Sequence, residues 1–179
     1  MPEDDERRRR LREASFLHSS SREALIEHVF VAEVLQEAWF AREQLLEVLR
    51  SEVDAAGYDV VFECGAIVRH VQLKASELGG KTSRQTINIR LAEKPSGCVV
   101  WVVYKERVQD HRLDLSYLWF GGHPGEPLPD LGHLVGRNPR SKTPRPGTRV
   151  VPRAHFERVA STPALVERLF GPPRRSAQQ

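Results

Sequence analysis

Residues 58–74 read YDVVFECGAIVRHVQLK, two runs rich in Val, Ile and Phe on either side of Gly65-Ala66. The pattern predicts a β-hairpin with strands Tyr58–Cys64 and Ile67–Lys74, its two-residue loop carrying a glycine where positive φ is needed. Such a loop sets Cys64 opposite Ile67, Phe62 opposite Arg69, Val60 opposite Val71 and Asp59 opposite Gln72. Strand side chains alternate between faces. Val60, Phe62, Cys64, Ile67, Val71 and Leu73 therefore share one apolar face, with Arg69 its only polar member. The other face gathers Asp59, Gln72 and Lys74 near the open end of the hairpin, with His70 one strand step away. One reading of that cluster is a surface ion pair of Lys74 with Asp59, of small energetic value. The other is a site.

Asp59 on one strand and Gln72-Leu73-Lys74 on the next, after an acid-bearing helix, resemble the PD-(D/E)XK nuclease superfamily in its Q-x-K variant. The resemblance covers roughly residues 20–105. It implies an α/β, restriction-endonuclease-like core, a central mixed β-sheet flanked by helices. It also implies a metal-dependent nuclease acting on nucleic acid, with DNA favoured. In that reading Asp59, Gln72 and the Leu73 backbone carbonyl hold Mg²⁺ or Mn²⁺, and Lys74 assists the attacking water. An acid from the first helix completes such a site; Glu27 is preferred and Glu33 is the alternative. Gln72 stands where the commonest pattern has a second carboxylate, which removes a negative charge and implies weaker metal binding. Two readings from other classes stay open: a catalytically silent nuclease-like domain that binds nucleic acid or a partner protein, and an unrelated α/β interaction module.

The composition suits these readings without selecting among them. The 179 residues suffice for one domain with a proper core. A net charge of +3 is mild, so any case for a polyanionic partner rests on distribution. Cys64 and Cys98 both lie in apolar runs, which predicts reduced, buried thiols rather than a disulfide or zinc site. No apolar run approaches the length of a membrane span, and the N-terminus has no apolar leader. A cytoplasmic protein is expected, with no membrane partner and a homodimer as one option. Phosphate-loop, dinucleotide-binding, C-x-x-C and H-E-x-x-H motifs are missing from the sequence.

In chain order, residues 1–19 read as a charged tail, 20–120 as the core, and 121–179 as a loop-rich basic extension of the same domain, closed by a short helix. Ser20 to about Arg42 predicts a helix with a Ser20-x-x-Glu23 capping box. Glu43–Val53 is open between continued helix and a first strand, followed by a turn through Asp54 and Gly57. Gln85–Glu93 is open between a strand and a crossover helix. Cys98–Tyr104 (CVVWVVY) predicts a central strand buried on both faces. Leu113–Phe120 predicts another strand, and Thr162–Phe170 a helix. Lys81 and Arg84, in the loop after Lys74, and Arg137, Arg140, Lys142 and Arg145, in the Pro- and Gly-bearing stretch 122–148, are the candidate contacts to a phosphate backbone.

Overall fold

The computed structural model describes residues 19–50 and 56–173, together with Glu6, Arg9 and Arg10. Most of the charged tail, and Asp54 in the expected turn, lie outside the described residues. The chain is α/β, built on a mixed six-stranded sheet with helices packed against it. The predicted hairpin forms as β2 (Val60–Cys64) and β3 (Ile67–Glu77), in the register that a two-residue loop dictates, from Cys64 opposite Ile67 to Val60 opposite Val71. Gly65 has φ 59° at the first loop position, where its missing Cβ makes the turn cheap.

Around the hairpin the sheet grows in both directions. Glu43–Val53 resolves toward a strand, since β1 (Glu47–Arg50) pairs with β2 and forms one edge. β5 (Gly97–Arg107) lies parallel to β3, and β6 (Arg112–Gly121) pairs antiparallel with β5. β9 (Glu157–Val159) closes the other edge, giving the order β1-β2-β3-β5-β6-β9. The apolar run of β5 is central, as its sequence predicts, and Cys98 to Tyr104 are all buried.

Each sheet face has its own cover. On one side, α1 (Ser19–Gln36), continued by a π-helical turn over Glu37–Ala41, and α2 (Thr162–Phe170) bury Ile26, Phe30, Val34, Leu165 and Leu169 against Val60, Phe62, Val71, Val100 and Val102. α1 already includes Ser19, one residue ahead of the predicted cap. α2 has its predicted bounds, with Ser161 accepting from the Ala164 N–H and Pro163 in the first turn.

The other face departs from the expectation of helices on both sides. A three-stranded sheet covers it, in the order β4 (Arg84–Asn88), β8 (Pro144–Pro152), β7 (Val135–Arg137). Its Ile87 and Val151 pack with Leu91, Val99, Trp101, Leu118, Phe120 and Phe156 in a second core. Gln85–Glu93 thus holds both a strand and a 3-10 turn (Ile89–Glu93), and no α-helix links β3 to β5. The stretch 122–148, read as loop, contains β7 and the first half of β8. It lacks the apolar alternation that signals a strand. Its prolines fit because Pro144 sits at the strand end and Pro146 falls where the pairing jumps from Arg149 to Arg145, between Val135 and Gly136.

Arg69, the lone polar residue on the apolar face, is fully buried. Its Nη2 donates to the Gly122 carbonyl at 3.1 Å and its guanidinium lies 5.2 Å from the Trp119 ring centroid, while Nε and Nη1 have no hydrogen-bond partner. Cys64 and Cys98 are thiols, both buried, as predicted. No helix among the described residues is long and apolar enough to cross a membrane.

Burial pushes the Cys98 thiol up to about 11 from 9.0, against the opposing pull of Arg69 beside it. The folded chain therefore holds this proton more tightly than the unfolded chain does. That stability is complete below about pH 9 and is lost as pH rises toward 11. Urea midpoints should fall across that window, and Cys98→Ala should flatten the fall.

Candidate active site

The candidate site arises from a mismatch in strand length. β2 starts at Val60, whereas β3 runs on to Glu77, past the last β2 partner at Val71. Beyond Val71, β3 keeps β5 on one side and loses β2 on the other. Asp59, just ahead of β2, takes over part of that role. Its N–H donates to the Val71 carbonyl at 2.9 Å, and its Oδ2 accepts the Leu73 N–H at 2.6 Å. The carboxylate stands in for a missing backbone acceptor, which fixes its place beside β3. Gly57, with φ 81°, brings the chain into this position; a Cβ there would come within 3.0 Å of the Asn88 side chain.

An open cleft of about 530 Å³ lies across this exposed stretch of β3. Asp59, Leu73, Lys74 and Ala75 form its floor, Glu23 and Glu27 of α1 one wall, and Gln85 of β4 the other. Glu23 and Glu27 are one helical turn apart, so both present to the same side. Because N–H and C=O of a strand residue point the same way, the Leu73 carbonyl faces the side on which Asp59 holds its N–H. Asp59, Glu27 and Lys74 thus line one cleft together with the Leu73 backbone. Glu27 is held by Arg50, with Nε 3.3 Å from Oε1, and Arg50 also meets His28 Nε2 at 3.2 Å.

Gln72 is close by but turned away. It is buried and does not line the cleft; its Oε1 accepts the Asn88 N–H at 3.2 Å, tying β3 to the covering sheet. Gln85, which sequence reading passed over, is a cleft-wall residue whose Nε2 is buried without a partner. Nothing local in its sequence marks it; only the packing of β4 over β3 brings it there. His70 stays outside, with Nδ1 3.0 Å from the Pro95 carbonyl and its ring against Tyr58.

The candidate phosphate contacts fall into two groups. Lys81 and Arg84 are exposed immediately before the cleft residue Gln85. Arg137, Arg140, Lys142 and Arg145 are exposed around the tip of the β7–β8 hairpin. That tip is shaped by Asn138, whose Oδ1 accepts the N–H groups of Arg140 and Ser141. Since Arg84 pairs with Pro152 and Arg137 with Pro144, the groups lie at opposite ends of β8. A strand of that length spans about 26 Å.

Among the described residues no group of three or more His, Cys, Asp or Glu side chains gathers as a metal cage. The alternative acid Glu33 is not a cleft residue. Its Oε2 accepts Tyr117 Oη at 2.6 Å and Thr162 Oγ1 at 2.7 Å, joining α1 to β6 and α2. Burial, and then the Glu33 carboxylate, push the Tyr117 hydroxyl well above the usual phenol range. Tyr117→Phe removes one of the two donors to this carboxylate, so the unfolding free energy from urea titration should drop by about 1–2 kcal/mol.

No protein-family model matches the chain, and no curated protein matches its sequence.

Proposed function

We propose that the cleft is the active site of a metal-dependent nuclease that hydrolyses phosphodiester bonds, with DNA as the favoured substrate. One observation carries this reading: Asp59, Leu73, Lys74 and Glu27 line the same cleft, on the one stretch of β3 that has lost its β2 neighbour. The donor set fits a hard cation. Two carboxylates and a backbone carbonyl suit Mg²⁺ or Mn²⁺, which commonly takes only one or two protein carboxylates alongside substrate phosphate. When bound, such an ion supplies charge neutralisation at the phosphate and an activated water.

The chain's own residues do the rest. Asp59, pinned by the Leu73 N–H, presents its carboxylate without needing to reorganise. Glu27, oriented by Arg50, offers the second acidic group from the helix wall. Lys74 places an ammonium in the cleft to orient water and to offset negative charge gathering on the phosphate. Gln72 sits behind the floor, and its bond to Asn88 holds the covering sheet, and so Gln85, at the cleft. The basic groups at the two ends of β8 suit a duplex, since their separation of about 26 Å is shorter than one turn of B-DNA.

A second reading, a catalytically silent domain of the same architecture that binds nucleic acid or a partner protein, is favoured by the engagement of the Gln72 oxygen and of Glu27 with protein partners. Cleavage assays separate the two. Plasmid and single-stranded DNA with Mg²⁺ or Mn²⁺ should be cut by the wild type. Lys74→Ala and Asp59→Asn should lose about 100-fold or more, with unchanged circular dichroism. Asp59→Asn keeps an acceptor for the Leu73 N–H, so its loss would report the charge. No cutting by the wild type with either metal would leave the silent domain.

The two basic groups make a separate prediction about binding. Arg140→Ala with Lys142→Ala should weaken affinity for all DNA sequences alike. It should also lower the slope of log K against log salt by about 1–2, measured by fluorescence anisotropy.

A further inference from the structure

Apolar side chains are exposed together at the far end of α1. Trp39 is 61% exposed, Phe40 78% and Leu45 78%, with Leu35 beside them at 36%. They are contiguous, for Leu35, Trp39, Phe40, Leu45 and Leu46 line one shallow hollow of about 280 Å³. A second hollow, of about 250 Å³, lies on the other side of Leu45, against Ile67, Phe170 and Pro172. The polar residues within the patch are the neutral Gln36 and Gln44. Two residues past Leu45 begins β1, the edge strand of the main sheet, with β2 as its only strand partner among the described residues.

We infer that this face binds a second copy of the same chain, making a two-fold homodimer. The inference stands apart from the nuclease reading and does not depend on it. Three features select a second copy. First, the exposed side chains of Trp39, Phe40 and Leu45 stand on the same surface as the two hollows that they border, and a two-fold interface needs projecting and recessed elements on one surface. Second, its size matches. The exposed apolar area is on the order of 500 Å². A homodimer interface is about 65% apolar, so this patch scales to roughly 770 Å² a side, close to the standard of about 800 Å². Third, its centre is uncharged and aromatic, the composition of an interface core, and beside it lies the edge of β1 that has no strand partner among the described residues.

Sedimentation velocity at micromolar concentration tests this with the full chain. The wild type is expected to run as a dimer. Phe40→Asp and, separately, Leu45→Lys should weaken the dimer by about 30-fold or more, with unchanged circular dichroism, because both side chains are largely in water. The second variant guards against one that fails to fold. Leu25→Lys is the control: Leu25 is 53% exposed on α1 but lies outside both hollows, and its substitution should leave the dimer intact. A monomeric wild type, a dimer that survives both patch variants, or an equal loss in the Leu25→Lys control would each overturn the proposal. DNA cleavage by these variants is read independently, so failure of the dimer and failure of the nuclease reading give different results.

Discussion

The hydrogen bond from the Leu73 N–H to the Asp59 carboxylate, at 2.6 Å, is the contact on which the candidate site depends. A strand that outruns its neighbour leaves backbone groups that must find partners. β3 outruns β2, and Asp59 answers the first N–H left over. The same length difference that exposes β3 therefore fixes a carboxylate beside it. Had β2 continued, its backbone would occupy the space of the cleft beside Leu73 and pair with the N–H that Asp59 now holds. Site and strand-length mismatch are one feature.

The cleft also needs two walls, and these come from opposite faces of the sheet. α1 supplies Glu23 and Glu27 because they continue, toward the start of the helix, the stripe that buries Phe30 and Val34 against the hairpin's apolar face. β4 supplies Gln85 because Ile87, two residues on, is buried in the second core. Burial on both faces is also why β5 is so uniformly apolar. A sheet with one wet face would have shown alternation there. The hydrophobic demand of that central strand thus explains the second sheet, and the second sheet explains where the basic hairpin projects.

Two polar contacts show how the layers are joined. Glu33 collects hydroxyls from β6 and α2, and the Gln72 oxygen takes the Asn88 N–H across the other layer. Each satisfies a polar group that packing would otherwise strand. Arg69 is the exception, a fully buried cation with two donors unmet. Its contact with the Trp119 ring and the Gly122 carbonyl recovers part of that cost.

The hairpin, its register, its apolar and polar faces, the central strand and the closing helix were legible in the sequence, because each rests on local chemistry: β-branched runs, a glycine in the turn, continuous apolarity, Ser and Pro at a helix start. Asp59 and Lys74 were legible as neighbours for the same reason, since register follows from loop length. Tertiary structure alone decided the rest. Gln72 reads from sequence as a partner of Asp59 and Lys74 on a polar face, yet that face is covered, and the amide is spent on Asn88. Glu27 and Glu33 are near-equivalent acids on one helix; only the placement of α1 over the sheet sends the first to the cleft and the second to Tyr117. The strands within 122–148 were hidden because Pro, Gly and Arg carry no alternation; they pair with each other, and the second half of β8 pairs in turn with β4, far away in sequence. Short-range preferences are written residue by residue, whereas a partner strand is chosen by the surface that remains uncovered.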